Sequence, residues 1–230
     1  MIVGDYLLAG LVAMLTGLDR VALVQVMISR PLVAGPLTGW LLGSPLVGLE
    51  VGMLLELLWL GRLPVGAAIP PDDTQVAVGA TVITLTMGPV LGLQGMPSVL
   101  LAVLIAIPLG KLGQIFDRLA RHANDRLAVR GDRSLMAGST SGLERNHLFG
   151  LVNFALASLA TLFVIVLAGS IVFYATAPLL IEAVRGAGLS LQYSLILVGA
   201  ASLLGTINVN RSISLFCAAF AGTLLVLWLR

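Results

Sequence analysis

Three long stretches of this chain contain no formally charged residue: residues 74–110, 148–181 and 186–210. A helix needs roughly 20 predominantly apolar residues to cross the hydrocarbon core of a bilayer, so each stretch has room for at least one such helix. The strands of a transmembrane barrel would instead alternate apolar and polar residues over about 10 positions, whereas these stretches are continuously apolar. The pattern predicts an all-α, polytopic transmembrane helical bundle.

The composition indicates a membrane environment for the whole chain. Of its 230 residues, 58% are hydrophobic and 10% are charged. A soluble domain carries about 25% charged residues. The N-terminal residues 1–6 lack the basic region and the cleavage site of a signal peptide, so we expect the first mature helix to begin there. We expect residues 1–230 to form a single membrane-embedded domain.

One hydrophilic segment, at about residues 111–147, separates two apolar halves of the chain. Seven of the thirteen Lys and Arg residues lie in it, together with four acids. Lysine and arginine in short connecting segments mark the cytoplasmic side of a membrane protein. Apolar residues recur at helical spacing from Phe116 to Leu127. This spacing predicts an amphipathic helix that either extends an embedded helix or lies along the lipid headgroups.

The N-terminal half is interrupted by proline and glycine. Six of the ten prolines lie between residues 31 and 71, and glycines repeat every four residues at Gly35, Gly39 and Gly43. Proline breaks a straight helix, and small residues at this spacing allow close helix crossings in lipid. Transporters build substrate sites from broken helices at membrane depth, although kinked packing alone would give the same pattern. The sequence therefore predicts broken or re-entrant helices in this half.

Acidic residues within the apolar N-terminal half are the candidate binding residues. An acid at the centre of a spanning helix costs about 2.5–3.5 kcal/mol on insertion scales, which makes each one a functional candidate. Glu56 has apolar neighbours on both sides, and its structural alternative is an ion pair with Arg62 or with another chain. Asp72 and Asp73 follow a pair of prolines, where either could instead cap the next helix.

Several chemistries are missing from the sequence. It has no phosphate-binding P-loop, no His/Cys spacing for a metal and no nucleophile elbow. We therefore expect no catalytic residue, no metal and no cofactor. The net charge of +2 gives no reason to expect a nucleic-acid partner. The remaining functions are those of a conduit or a binding site.

Three motifs follow one another in the N-terminal half. They are Arg-Pro-Leu with the glycine repeat in residues 29–43, Leu-Glu-Leu-Leu-Trp-Leu-Gly in residues 52–61, and Gly-Ala-Ala-Ile-Pro-Pro-Asp in residues 65–72. This ordered set resembles the mannose/fructose/sorbose-type enzyme IIC family, the membrane permease subunits of a phosphotransferase system. The segments His-Ala-Asn-Asp from residue 122 and Ile-Asn-Val from residue 207 are similar to family segments as well.

The resemblance implies group translocation of a sugar. A IIC subunit of that family binds a hexose or amino sugar together with a IID membrane subunit, and soluble IIA and IIB subunits carry the phosphoryl group and phosphorylate the sugar. The resemblance also implies a multi-pass protein of the bacterial inner membrane, working in an oligomeric complex and without enzymatic activity of its own. The motif residues expected to bind the sugar are Glu56, Gly66, Ala67, Pro71, Asp72 and Asp73.

Two other functions fit the same residues. A secondary transporter would couple to H⁺ or Na⁺ through Glu56 and would work without a second membrane subunit. A membrane scaffold or sensor would not transport, and Glu56 and Asp72 would then have structural roles.

Overall fold

The computed structural model describes residues 3–60, 69–140, 142–206 and 212–228. Every regular element within these residues is a helix, which confirms the prediction of an all-α fold. In chain order the helices are α1 (Val3–Val21), α2 (Pro31–Leu41), α3 (Pro45–Trp59), α4 (Asp73–Val90), α5 (Met96–Leu109), α6 (Gly113–Met136), α7 (Leu143–Thr206) and α8 (Ser212–Trp228).

Two helical stretches in the described part of the chain are long and apolar enough to cross a membrane. One is Met96–Met136, in which α5 continues through a short 3-10 turn at Gly110–Leu112 into α6. The other is Leu143–Gly186, the larger part of α7. The hydrophilic segment thus extends an embedded helix, which is one of the two arrangements predicted for it.

The N-terminal half contains two short helices, α2 and α3. Each begins with a proline in its first turn, where the missing N–H costs no hydrogen bond. At a rise of 1.5 Å per residue the two helices are about 17 and 23 Å long, shorter than the roughly 30 Å hydrocarbon core. Neither can cross a membrane by itself, so the prediction of broken helices in this half is confirmed.

α2 and α3 pack antiparallel against each other through glycines. A Cβ added to Gly35 would lie less than 3.0 Å from the carbonyl oxygen of Gly48, and a Cβ added to Gly52 would lie less than 3.0 Å from that of Pro31. The glycine repeat of α2 therefore packs against a helix of the same chain. Gly43 lies in the turn between the two helices and has a positive φ of 80°, a conformation that glycine adopts without strain.

The core of the fold surrounds α4. On one side α4 packs against α5 and α7 through fully buried side chains such as Ile83, Leu100 and Phe173. On the other side α1 packs against it through Ala13 and its neighbours. The start of α4 lies where α1, α6 and α7 come together, because Arg20, Gly113 and Thr161 of these helices surround Asp72. This junction positions the candidate site.

Candidate functional site

Asp72 ends the irregular segment before α4 and caps that helix. Its Oδ1 accepts the backbone N–H of Gln75 at 3.0 Å, which satisfies one of the four N–H groups that a helix start leaves without partners. The N–H of Asp72 itself donates to the carbonyl oxygen of Gly110 at 3.0 Å. Gln114 donates from Nε2 to the carbonyl oxygen of Ile69 at 2.5 Å. The junction of α5 and α6 therefore fixes the segment that carries Asp72.

Arg20, in the last turn of α1, binds the same segment with its guanidinium group. Its Nη1 lies 2.6 Å from Oδ1 of Asp72, and its Nη2 lies 3.1 Å from Oδ1 of Asp73. Nη2 also donates to the carbonyl oxygen of Pro71 at 3.0 Å. The three charged side chains are 14–19% exposed, so bulk salt screens them little. The structure thus brings Pro71, Asp72 and Asp73 together around one cation.

Glu56 belongs to a second charged centre, at the start of α2. Its Oε1 lies 2.5 Å from Nη2 of Arg30, and its Oε2 accepts the N–H of Leu32 at 3.2 Å. Both oxygens therefore have partners from the segment that precedes or begins α2. The alternative partner considered for Glu56 in the sequence, Arg62, lies outside the described residues.

The loop between α1 and α2 leads from one charged centre to the other. Asp19 is only 4% exposed and accepts the N–H of Val26 at 2.8 Å and the N–H of Ser29 at 3.0 Å, one on each carboxylate oxygen. Thr74, in the first turn of α4, donates its hydroxyl to the carbonyl oxygen of Ser29 at 2.7 Å. The loop is therefore bound to both α1 and α4.

A polar cavity of about 250 Å³ lies beside Asp72, between α1, α6 and α7. Its charged and hydroxyl-bearing lining residues are Arg20, Asp72, Asp117, Arg121, Ser158 and Thr161. Two arginines and two aspartates give this set no net charge. Phe154 adds an aromatic ring to the wall. The lining suits a neutral ligand with many hydrogen-bonding groups.

The cavity wall offers both acceptors and donors, because Gln25 and the two arginines also line it. Arg121 donates from Nε to Asp117 at 2.8 Å, and its guanidinium lies 5.9 Å from the centre of the Phe154 ring, which leaves its Nη groups able to donate to a ligand. Ser158 and Thr161 donate their hydroxyls to carbonyl oxygens of their own helix, which leaves the hydroxyl oxygens able to accept. Within the described residues, Oδ2 of Asp72 receives no hydrogen bond. Hydroxyl groups of a ligand can both donate to such a wall and accept from it.

The six predicted binding residues are only partly accounted for. Asp72 lines the cavity. Pro71 and Asp73 are its neighbours in the chain and bind the same side chain, Arg20. Glu56 is not among the described residues that line this cavity. Gly66 and Ala67 lie outside the described residues. Binding of one sugar by all six stays a prediction.

Asp19 and Arg20 are candidate functional residues that the motifs do not identify. A signal for them exists in the sequence, because after Asp5 they are the first charges in an otherwise apolar helix. Charged residues in such helices are functional candidates by default. Their pairing with α4 and with the loop before α2, however, depends on the packing of helices that are distant in sequence.

The sequence matches one family along nearly its whole length, the sorbose-specific IIC component of the phosphotransferase system (PTS), over residues 3–227. The chain belongs to this IIC family. The resemblance carried by the three N-terminal motifs is thereby confirmed.

Curated relatives of this IIC chain include two IIC components that are named for a sugar. It is 31% identical over 142 residues to the fructose permease IIC component of Bacillus subtilis, a match that covers 62% of this chain and 49% of the relative. It is 30% identical over 129 residues to the mannose-specific EIIC component of Escherichia coli, covering 53% of this chain and 45% of the relative. The chain spans about half the length of the curated relatives it matches.

Two solved structures share the fold of this IIC chain. One is described as a membrane protein and has a TM-score of 0.73 at 20% identity. The other is the mannose transporter ManYZ in complex with microcin E492, with a TM-score of 0.64 at 21% identity. Each alignment covers 97% of this chain and 87% of the solved chain. The likeness confirms the predicted helical membrane fold.

Proposed function

We propose that this IIC chain is the sugar-translocating subunit of a phosphoenolpyruvate-dependent PTS. It binds a hexose or amino sugar together with a IID subunit and passes the sugar to IIB for phosphorylation. The observation that carries the proposal is the polar cavity without net charge beside Asp72 in a chain of the IIC family. Relatives named for fructose, mannose, sorbose and N-acetylgalactosamine support a monosaccharide as the ligand.

The cavity chemistry is that of a sugar site. A volume of about 250 Å³ lies just below the usual range for drug-sized ligands, about 300–1,000 Å³, and suits a single monosaccharide. Sugar hydroxyls would donate to Oδ2 of Asp72 and to the oxygens of Ser158 and Thr161. A site built to pair with hydroxyls discriminates strongly against ligands that lack them, because its buried polar groups are then left unpaired.

Partner subunits carry the phosphoryl chemistry in this proposal. IIA and IIB act from the cytoplasm, where the basic hydrophilic segment formed by α6 and the start of α7 would face them. The chain itself is a single permease domain over residues 1–230, embedded as a multi-pass protein in the bacterial inner membrane. It works in an oligomeric complex with IID.

One alternative has a specific observation in its favour. All three predicted binding acids are engaged in ion pairs, Glu56 with Arg30, and Asp72 and Asp73 with Arg20. In a non-transporting scaffold or sensor these acids would stabilise the fold and would not bind a sugar. Sugar uptake by cells that contain the chain with its IID partner separates the two functions, because only the transport function requires it.

The test of the proposed function is sugar uptake by cells that carry this chain with or without its IID, IIA and IIB partners. We expect uptake to require all four components and the product inside the cell to be phosphorylated. Uptake by the chain alone that collapses with an ionophore would identify a secondary transporter instead. A complex that takes up no sugar would identify the scaffold or sensor.

A further inference from the structure

The loop of residues 22–29 is bordered on both sides by an arginine that pairs with a predicted binding acid. Arg20 precedes the loop and pairs with Asp72 and Asp73. Arg30 follows the loop and pairs with Glu56. A movement of the loop therefore acts on both charged centres of the site.

Asp19 fixes the conformation of this loop. Its two carboxylate oxygens accept N–H groups of Val26 and Ser29, at opposite ends of the loop's second half. Hydrogen bonds to an ionised acceptor are roughly twice as strong as neutral ones, and at 4% exposure little water competes with them. Among the described residues Asp19 forms no ion pair, and its carboxylate binds N–H groups of the loop backbone instead.

The loop backbone is strained. Val24, Gln25 and Met27 have positive φ values of 63°, 56° and 69°. This left-handed region is uncommon for residues other than glycine and is an outlier for a β-branched residue such as valine. Strained conformations persist only when the surrounding structure over-determines them. Asp19 contributes to that constraint through Val26, which lies between the strained Gln25 and Met27, and through Ser29.

We propose that Asp19 is a positioning residue that links the two charged centres through this loop, so that the Arg20–Asp72 pair and the Arg30–Glu56 pair form and break together. The consequence for sugar binding rests on the proposed function, since it treats Asp72 and Glu56 as sugar-binding acids. A sugar that displaces one arginine from its acid would then also release the other.

The link is tested first without sugar, by a double-mutant cycle on the melting temperature of the full chain. Arg20→Gln and Arg30→Gln each break one pair. The double variant should lose less than the sum of the single losses, because breaking one pair already loosens the other. In an Asp19→Asn background the two melting-temperature losses should add. The Asn side chain has one acceptor oxygen and an NH2 donor, so it cannot accept the N–H groups of both Val26 and Ser29 on separate oxygens.

Thr16→Val is the matched control for Asp19→Asn. Thr16 is fully buried on α1, one turn before Asp19, and within the described part of the chain its hydroxyl donates to carbonyl oxygens of α1 alone. Its replacement removes a buried hydrogen bond without touching the loop. The non-additivity between the two arginine variants should persist in this background.

The second test uses calorimetry on the complex with IID, with mannose, fructose, sorbose and N-acetylgalactosamine as probes. Asp19→Asn should weaken sugar binding by about 2- to 30-fold, although Asp19 does not line the cavity. Thr16→Val should leave the affinity unchanged. Equal affinities for these two variants would overturn the positioning role.

Two further outcomes are decisive. Additive arginine losses in the wild-type background, or non-additivity that survives Asp19→Asn, would overturn the link.

If Asp19→Asn does not fold, Val24→Gly combined with Met27→Gly replaces it, because glycine adopts positive φ without strain and makes the loop more flexible. Non-additivity should then fall, and its persistence would overturn the link. If none of the four sugars binds the wild-type complex, the proposed function fails, and the melting-temperature cycle still decides the link.

Discussion

Replacing Gly48 by alanine should force α2 and α3 apart. A Cβ on Gly48 would lie less than 3.0 Å from the carbonyl oxygen of Gly35 and 3.0 Å from the Cα of Pro36, whereas ordinary contacts of a Cβ atom begin at 3.4 Å. The opposing atoms belong to the backbone and cannot rotate away, so relief requires a shift of a whole helix. Overpacking of this kind typically costs about 1–3 kcal/mol of stability.

This cost should appear as a lower melting temperature. A loss of 1 kcal/mol lowers the melting temperature of a chain of this size by about 2–4 °C, so Gly48→Ala should melt about 2–12 °C lower. The matched control is Gly186→Ala on α7, where an added Cβ meets nothing within 4 Å and alanine should be neutral or stabilise the helix by up to about 1 kcal/mol. The fluorescence of Trp40 and Trp59 in detergent reports the transition. Equal melting of the two variants would refute the close helix contact.

Three other results are expected. Cysteines placed at Arg121 and Gly138 in a Cys217→Ser background should react with a membrane-impermeant thiol reagent only after permeabilisation, because basic segments stay cytoplasmic; equal labelling of intact cells would contradict this. In calorimetry Glu56→Gln should lose less sugar affinity than Glu56→Ala, because the amide keeps one acceptor and the shape of the side chain; the reverse order would count against a binding role. A phosphorylated sugar should bind at least about tenfold more weakly than the free sugar, because the cavity has no net positive charge to balance a phosphate; equal affinity would contradict the charge argument.

The helical fold could be predicted from the sequence because its signals are local. Long uncharged runs indicate membrane helices, and prolines mark where α2 and α3 begin. The glycine repeat of α2 predicted close packing against some helix, and the structure identifies that helix as α3. Gly48 and Gly52 repeat there at the same four-residue spacing, so the two glycine faces are complementary.

The charged centres of the site could be predicted only in part. The pair of prolines before Asp72 indicated a break and a helix cap, and both are present. The partner of each acid could not be inferred, because Arg20 and Arg30 approach Asp72 and Glu56 only through the packing of helices that are distant in sequence. Asp19 also conflicts with local preference, since an acid near a helix C-terminus opposes the helix dipole. Such conflicts are expected at functional sites.

The central claim, that sugar binds at Asp72, is tested most directly by calorimetry on the purified complex of this chain with its IID partner. Asn at position 72 can still cap α4, so Asp72→Asn should leave the helix start intact. Losing a charged hydrogen-bond partner in a buried site costs about 1.5–3 kcal/mol, so the affinity for the best-bound of mannose, fructose, sorbose and N-acetylgalactosamine should fall roughly 10- to 150-fold. Asp125→Asn, at an exposed position on α6, is the matched control and should bind like the wild type. Wild-type affinity in Asp72→Asn, measured on the assembled complex, would contradict the claim, even where the loss of the ion pair with Arg20 lowers the melting temperature.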